Sequence, residues 1–312
     1  MVKRVLLAAP RGYCAGVERA VETVERALAR YGPPVYVRKQ IVHNSYVVEQ
    51  LRSRGAVFVE SVDEVPENAL VVFSAHGVAP AVRNAATARA LRTIDATCPL
   101  VTKVHAEARR YAADGYTVVL VGHAGHEEVE GTMGEVPGSI VLVESATDAE
   151  QLEVRDPTRI AYVTQTTLSV DETREIISVL RRRFPALHGP AKEDICYATT
   201  NRQRAVKKLL GQVELLLVIG SANSSNSQRL VEVAHAAGVP AHLIESERDL
   251  DERWLAGIET VGVTSGASAP EILVERLCEW FRTRGVREIR ELSPEKEDVF
   301  FRLPAELRRS AA

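Results

Sequence analysis

The sequence is poor in cysteine, in excess charge and in long apolar runs, and each shortage excludes a class of protein. Four cysteines in 312 residues are too few for the disulfide framework of a small secreted protein. No apolar run reaches the roughly 18 residues of a membrane helix, and the first ten residues lack the pattern of a secretory signal. The 39 basic and 42 acidic residues give a net charge of −3, which argues against nucleic-acid binding by bulk charge. We therefore expect a cytoplasmic protein with no membrane or nucleic-acid partner.

Three of the four cysteines recur at nearly equal intervals and in similar surroundings. Cys14, Cys98 and Cys196 each follow a strand-like stretch and precede an amphipathic stretch with apolar residues at helical spacing. Two further strand–loop–helix steps follow each cysteine at matching offsets, which indicates an internal repeat. Strands that alternate with helices predict parallel βαβ units. We expect an α/β fold of three pseudo-equivalent βα lobes with mainly parallel sheets.

The repeat also predicts the domain organisation. An N-terminal strand and the first cysteine loop occupy residues 1–14, and a C-terminal tail that packs back on the lobes occupies 283–312. A short strand is expected in the tail at Val299–Leu303. The three lobes are expected at 15–97, 98–194 and 195–282. Ligands of open parallel sheets bind beyond the carboxyl ends of the strands, where most of the unusual polar residues of this sequence fall.

Three cysteines that converge from different lobes admit several uses. A structural zinc site closes with four ligands and often has paired Cys-x-x-Cys spacing, and a redox pair typically has the same spacing, which is absent here. Three thiolates can hold an iron–sulfur cluster and leave one iron open to a substrate, and a helix start lowers the pKa of a thiol. Three buried, inert cysteines are the alternative. Cys278 lies on an apolar helical face and is predicted to pack in the core.

Polar residues at the strand-end loops point to an anionic ligand. The first two lobes offer His43, His76 and His126, and the third lobe offers Ser224, Ser225, Asn226 and Ser268. Hydroxyls, amides and free N–H groups at helix starts can hold phosphate, and histidine adds hydrogen bonds and partial positive charge near neutrality. Ser225 and Ser268 also begin capping-box patterns, as does Ser169, for which capping is the preferred interpretation.

Glu128 is a carboxylate in a loop otherwise suited to anions. Nearby negative charge raises the pKa of such a group, which would leave it protonated and able to donate a proton. The surrounding segment lacks the His-Glu-x-x-His order of a zinc protease. Gly125 and Gly131 argue against a continuous helix through it.

Taken together, these motifs resemble the 4-hydroxy-3-methylbut-2-enyl diphosphate reductase (IspH/LytB) family. Tyr13 and Glu127 stand where phenylalanine and proline are usual in that family. The resemblance covers about residues 5–303 and rests on the stretches 10–17, 41–44, 74–77, 95–101, 122–134, 162–169, 194–203, 220–227 and 264–270.

The resemblance implies an iron–sulfur oxidoreductase, with three lobes around a central cluster. Its reaction would be the reductive dehydroxylation of (E)-4-hydroxy-3-methylbut-2-enyl diphosphate to isopentenyl and dimethylallyl diphosphate, the last step of the non-mevalonate isoprenoid pathway. One [4Fe–4S] cluster per chain would be held by Cys14, Cys98 and Cys196, with one open iron. Glu128 would donate a proton, and Thr166 would face the substrate hydroxyl beside Thr167. The diphosphate would be bound by His43, His76, His126, Ser224, Ser225, Asn226 and Ser268. An electron donor such as ferredoxin or flavodoxin is also implied.

Two other classes of protein stay open at this point. A metal-dependent phosphohydrolase would use zinc or iron at the same centre, and would be colourless and stable in air if zinc is the metal. An iron–sulfur sensor would have no turnover to lose when Glu128 is replaced.

Overall fold

In a computed structural model that describes residues 2–292 and 297–308, strands and helices alternate along most of the chain. Several strands are apolar along their whole length, as in Leu215–Ile219, where every residue is buried. Such runs are typical of parallel sheets that are covered by helices on both faces. The strands are β1 Arg4–Ala8, β2 Val35–Arg38, β3 Ala56–Val59, β4 Leu70–Phe73, β5 Arg92–Asp95, β6 Thr117–Val121, β7 Ile140–Val143, β8 Ile160–Thr164, β9 Leu215–Ile219, β10 Ala241–Ile244, β11 Thr260–Ser265 and β12 Glu288–Leu292.

The helices begin where the sequence offers helix-start residues. Pro99 occupies the first turn of its helix, a position that tolerates proline because its N–H would have no partner there. The Ser169 hydroxyl accepts the N–H of Glu172 and so caps the helix Val170–Arg183, as predicted. The helices are α1 Ala15–Tyr31, α2 Ser45–Ser53, α3 Pro80–Ala88, α4 Pro99–Ala113, α5 Glu127–Met133, α6 Ala146–Gln151, α7 Val170–Arg183, α8 Tyr197–Leu210, α9 Ser225–Ala236, α10 Glu271–Thr283 and α11 Ala305–Arg308.

The chain divides into two compact units, which are described separately. The first unit comprises residues 1–18, 43–50 and 197–300, and the second comprises 19–42, 51–196 and 301–312. Among the described residues, no helix combines the length and the apolar content needed to cross a bilayer.

The first unit contains one parallel sheet with the strand order β10-β9-β11-β1-β12. Apolar residues of α8 and α9, such as Val206 and Leu230, pack on one set of strand side chains. Residues of α10 pack on the other set, and Cys278 lies among them with 4% of its surface exposed. The prediction that Cys278 is a core residue is therefore confirmed.

The second unit contains two further parallel sheets, with the orders β3-β2-β4-β5 and β7-β6-β8. Residues of α6 and α7 cover one face of the three-stranded sheet, and residues of α4 and α5 cover the other. The predicted α/β fold with three parallel sheets is confirmed.

Most strands fall within the predicted lobes, but the first and last strands lie outside them. Strands β2–β5, β6–β8 and β9–β11 fall within 15–97, 98–194 and 195–282, while β1 and β12, from the two ends of the chain, both join the third sheet. The lobe boundaries themselves stay a prediction.

One local expectation is wrong and a second is met only in part. Residues 299–303 form neither strand nor helix, and the strand of the tail lies instead at β12, where it pairs with β1. The expectation against a continuous helix is met at Gly125, which has a φ of +77° and lies ahead of α5, but Gly131 lies inside that helix. A Cβ atom at Gly131 would lie at an ordinary van der Waals distance of 3.5 Å from the backbone of Gly77, so the packing there accepts a small residue in the helix.

Candidate functional site

The three repeated cysteines share one backbone arrangement. Each lies at or just before a helix start, and its N–H donates to the carbonyl oxygen of the second residue beyond a strand end. The pairs are Cys14 to Ala267 after β11 at 3.2 Å, Cys98 to Ala75 after β4 at 2.9 Å, and Cys196 to Thr166 after β8 at 3.0 Å. The common geometry supports the repeat inferred from the sequence.

The three repeated cysteines differ from the fourth in burial. None of the four cysteines is in a disulfide, and Cys14, Cys98 and Cys196 are partly exposed as residues, whereas Cys278 is buried. Cys14 lies in the first unit, and Cys98 and Cys196 lie in the second. The exposure separates the three candidate ligands from the core cysteine.

The expected lowering of a thiol pKa at a helix start is not met at Cys14. Burial raises the pKa of this thiol, while Arg202 and the backbone N–H groups of Gly16 and Val17 oppose that effect. The desolvation of the sulfur outweighs the helix start at this position. A bound metal ion or cluster favours the thiolate regardless of this balance.

Glu128 and Thr166 form a buried pair in the second unit. The N–H of Thr166 donates to Oε1 of Glu128 at 2.6 Å, and the Thr166 hydroxyl donates to Oε2 at 3.0 Å. Glu128 is 2% exposed and Thr166 is 5% exposed. The same Thr166 accepts the N–H of Cys196. The structure therefore brings three predicted site residues into one hydrogen-bonded run.

The environment of Glu128 suits a proton donor. Burial raises its pKa to about 7, whereas the two hydrogen bonds from Thr166 lower the pKa and Asp194 raises it slightly. The direction agrees with the prediction, but the main cause is desolvation and not the neighbouring negative charge. A carboxyl group with this pKa can hold or release a proton at neutral pH.

Two predicted histidines lie side by side near this pair. The ring of His76 meets the ring of His126 edge to face, with 5.8 Å between their centroids. Nδ1 of His126 accepts the N–H of Glu128 at 3.1 Å and so caps α5. Oε2 of Glu127 lies 3.4 Å from Nδ1 of His76 and 3.4 Å from the hydroxyl of Ser74. The Glu127 carboxylate thus contacts Ser74 and His76, one of the residues predicted to bind the diphosphate.

His76 does not carry the positive charge that the sequence suggested. Burial lowers its pKa to about 4, and Lys39 lowers it further. At neutral pH the imidazole is therefore neutral. It offers one ring N–H to a ligand and not a full charge.

In the first unit, Ser224, Ser268 and His43 form a second polar group. The Ser268 hydroxyl donates to the carbonyl oxygen of His43 at 2.9 Å and lies 3.4 Å from the hydroxyl of Ser224. Nδ1 of His43 lies 3.2 Å from Nδ2 of Asn223. Ser224, Ser268 and His43 are all buried, so this group has little contact with bulk water.

Neither of the two serines that begin capping-box patterns in the third lobe caps a helix. Ser224, and not Ser225, caps α9 by accepting the N–H of Ser227. Ser225 is the first residue of that helix and is partly exposed. Ser268 does not cap α10, which begins after Pro270 without a side-chain cap. The hydroxyl of Ser268 is therefore not used as a helix cap.

Asn226 has a structural part in this loop. Its Oδ1 accepts the N–H of Ala267 at 2.8 Å, and its Nδ2 donates to Thr199 at 3.2 Å. Gly220 and Gly266 bracket the same region, and a side chain at either would meet the Ser227 hydroxyl at about 2 Å. Close packing of glycine and serine thus fixes the loop that carries Ser224 to Asn226.

Sequence reasoning missed three cations near the cysteines, namely Arg19, Lys103 and Arg202. Each donates hydrogen bonds to backbone carbonyls that precede a cysteine. It also missed the buried Asp194, which accepts the N–H of Thr164 at 2.9 Å and pairs with Lys103 at 2.8 Å. The signal was present in the sequence, because a cation follows each cysteine by five or six residues.

The donor set is consistent with an iron–sulfur cluster. Partly exposed free thiols in backbone-fixed loops are the ligands that such clusters take, and the nearby cations can offset their charge. Cys278 is excluded by burial in the α10 core. These observations define an α/β protein with candidate thiolate ligands and a buried proton-holding carboxyl group.

The chain belongs to the LytB family, whose LytB protein model matches residues 5–282. It is 60% identical over 308 residues to the 4-hydroxy-3-methylbut-2-enyl diphosphate reductase of Acidothermus cellulolyticus, covering 98% of this chain and 91% of the relative. The same reductase of Streptomyces coelicolor is 57% identical over 308 residues, with the same shares.

A solved structure supports the same relationship. The E-1-hydroxy-2-methyl-but-2-enyl-4-diphosphate reductase from Plasmodium falciparum is 37% identical and matches with a TM-score of 0.95, covering 98% of this chain and 97% of the other. A structure of (E)-4-hydroxy-3-methyl-but-2-enyl diphosphate reductase, described as the terminal enzyme of the non-mevalonate pathway, is 32% identical and has a TM-score of 0.63, covering 91% and 100%.

Proposed function

We propose that this chain reduces (E)-4-hydroxy-3-methylbut-2-enyl diphosphate to isopentenyl diphosphate and dimethylallyl diphosphate. Membership of the LytB family and the activity named for its relatives support this proposal. One [4Fe–4S] cluster per chain, held by Cys14, Cys98 and Cys196, is part of it. When bound, the cluster supplies electrons and a Lewis-acidic iron.

The observation that carries the proposal is the run from Glu128 through Thr166 to Cys196. Reduction of the allylic alcohol consumes two electrons and two protons, breaks one C–O bond and releases one water. Hydroxide is a poor leaving group, so a proton must reach the hydroxyl oxygen as that bond breaks. Glu128, with its pKa near 7, holds that proton. Its hydrogen bonds to Thr166 fix its orientation.

The diphosphate is bound by the polar loops in this proposal. His76 and His126 of the second unit donate hydrogen bonds to the diphosphate. In the first unit, the donors are His43, Ser224, Ser225 and Ser268. Asn226 holds the loop of these serines in place. Binding energy from the diphosphate can orient the carbon chain for the reaction without taking part in bond cleavage.

The electrons come from a small redox protein such as ferredoxin or flavodoxin. The chain is nearly neutral, with 39 basic and 42 acidic residues, so a donor of this kind would have to recognise a local surface and not the bulk charge.

The test is an anaerobic preparation of the full chain. Iron and sulfide per chain are measured, an EPR signal is sought after reduction, and the allylic diphosphate is supplied with a chemical reductant. We expect a brown protein that releases both five-carbon diphosphates and leaves the diphosphate group intact. Release of inorganic phosphate or diphosphate by a colourless, zinc-containing protein would instead identify a phosphohydrolase. A cluster without turnover would identify a sensor.

A further inference from the structure

A cationic side chain holds the backbone in front of each candidate cluster cysteine. The cation is never from the helix that the cysteine itself begins. The three cases are Arg202 ahead of Cys14, Arg19 ahead of Cys98, and Lys103 ahead of Cys196.

Arg202 lies in the first unit and is fully buried. Its guanidinium donates to the carbonyl oxygen of Gly12 at 2.6 and 3.2 Å and to that of Tyr13 at 3.3 Å. Ala198 and the carboxylate of Glu297 bind the remaining side of the guanidinium at 3.1 Å. The rigid fork of an arginine can fix two successive carbonyls in this way.

Arg19 has the corresponding contacts in the second unit. It donates to the carbonyl oxygens of Ala96 at 2.9 Å and Thr97 at 3.0 Å. Its Nε donates to the carbonyl oxygen of Arg302 at 2.8 Å. The two residues directly ahead of Cys98 are thus held by one side chain.

Lys103 completes the set, also in the second unit. Its ammonium group donates to the carbonyl oxygens of Lys192 and Glu193 and lies 2.8 Å from Oδ1 of Asp194. Asp194 in turn accepts the N–H of Thr164. The segment ahead of Cys196 is therefore tied to the end of β8.

The three cations follow a cyclic order along the chain. The helix after Cys14 supplies Arg19 for the Cys98 loop, and the helix after Cys98 supplies Lys103 for the Cys196 loop. The helix after Cys196 supplies Arg202 for the Cys14 loop. Each cation follows its own cysteine by five or six residues. A single buried arginine has many structural explanations, but a threefold recurrence at nearly the same sequence offset indicates a shared purpose.

We propose that Arg19, Lys103 and Arg202 are positioning residues for the cluster, each fixing the backbone of another helix's cysteine loop and together offsetting the negative charge of the thiolates. The inference rests on the proposed function, because it assumes that the three thiolates hold an iron–sulfur cluster. It adds three residues that do not themselves bind iron or substrate.

The charge has a consequence beyond loop geometry. Three thiolates make the donor set anionic, and each reduction adds another negative charge. A fixed cation in a partly buried setting stabilises the reduced form more than the oxidised form. Loss of a cation is therefore expected to make the reduction potential more negative and to weaken retention of the cluster.

The experiment compares charge-removing and charge-keeping variants of the holoenzyme. Lys103→Gln is paired with Lys103→Arg, and Arg202→Gln with Arg202→Lys. Arg204→Gln is the control, because Arg204 is exposed on the same helix as Arg202. The measurements are iron per chain, the rate of iron loss to a chelator, the midpoint potential from an EPR-monitored titration, and the melting temperature of the iron-free chain.

We expect each glutamine variant to lose iron about 10-fold faster, as removal of outer-shell partners typically does, and to have a more negative midpoint potential. Lys103→Arg is expected to keep both properties near wild type. Lys103 is partly exposed, so its variants test the idea even if Arg202→Gln does not fold. Glutamine variants that match Arg204→Gln in iron loss and potential overturn the inference. The inference is also overturned if the variants lose iron faster only in proportion to a lower melting temperature of the iron-free chain, while the midpoint potential is unchanged. A wild-type chain that binds no iron overturns the proposed function instead.

Discussion

The carbonyl oxygen of Thr166 accepts the N–H of Cys196 at 3.0 Å, while the N–H and hydroxyl of Thr166 bind Glu128. One residue therefore links the proposed proton donor to a proposed cluster ligand. Because both sides of Thr166 are occupied, Glu128 has little freedom to move relative to the Cys196 backbone. This rigidity suits a reaction in which a proton and electrons must reach one C–O bond.

Replacement of Glu128 by glutamine tests the proton donor. Glutamine has nearly the same shape, and Thr166 can keep one hydrogen bond to its oxygen and accept another from its amide. We expect normal iron content and a loss of kcat of about 10²- to 10⁴-fold, the usual contribution of a general acid. Glu130→Gln, at an exposed position of the same helix, is the control. Full activity in Glu128→Gln would contradict the assignment.

Replacement of Thr166 tests the effect of its hydroxyl separately from that of its backbone N–H. Thr166→Val removes the hydrogen bond to Oε2 of Glu128 but keeps the N–H bond to Oε1. Since that hydroxyl lowers the pKa of Glu128, its loss should raise this pKa and move the alkaline limb of the pH–rate profile to higher pH. We expect kcat to fall by about 10-fold, consistent with one misplaced hydrogen bond to a charged group. Thr166→Ser should restore both the rate and the profile. An unshifted profile in Thr166→Val would argue that the hydroxyl does not act on Glu128.

The cysteine assignment gives a matched pair of variants. Cys98→Ser removes a partly exposed thiol in a backbone-fixed loop, and we expect the cluster to be lost. Cys278→Ser changes a thiol packed in the α10 core, and we expect normal iron content with some loss of stability. Iron and sulfide per chain measure both results. A Cys278→Ser protein without a cluster would require a different set of ligands.

Much of the fold could be predicted because the strands carry an unambiguous signal. Leu70–Phe73, Thr117–Val121 and Leu215–Ile219 are each a short, largely apolar run that ends at polar or small residues. Val299–Leu303 was misjudged because a short apolar stretch forms a strand only where it can pair with a sheet edge. The edge beside β1 is occupied by Glu288–Leu292 instead.

The site residues could be predicted where the same residue types repeat along the sequence. They could not be predicted where burial sets a pKa or where the exact start of a helix sets which side chain caps it. The repeat identified Cys14, Cys98 and Cys196, but it could not reveal that burial is the main cause of the raised pKa of Glu128. Likewise, the cap of α9 is one residue earlier than the Ser225 pattern suggested. Helix ends shift easily by one residue, because adjacent serines can accept the same N–H groups.

The raised pKa of Glu128 also makes stability depend on pH. Its folded-state pKa of about 7 lies above the ordinary value of 4.5, so the folded chain binds this proton more tightly than the unfolded chain. The resulting stabilisation is fully present below the unfolded pKa and is lost as the pH rises through the folded pKa. Glu128→Gln has no such proton. We therefore expect the free energy of unfolding of wild type, relative to Glu128→Gln, to fall by on the order of 3 kcal/mol between about pH 4 and about pH 8.

Anaerobic urea denaturation of both proteins across this pH range measures the difference, and both are prepared with the same iron content so that cluster binding cancels. Glu130→Gln serves again as the control, because it removes an exposed carboxylate from the same helix. The pH-dependent difference from wild type should be larger for Glu128→Gln than for this control. Parallel curves for wild type and Glu128→Gln would mean that Glu128 is ionised in the folded chain, and it could then no longer be the group that holds a proton at neutral pH.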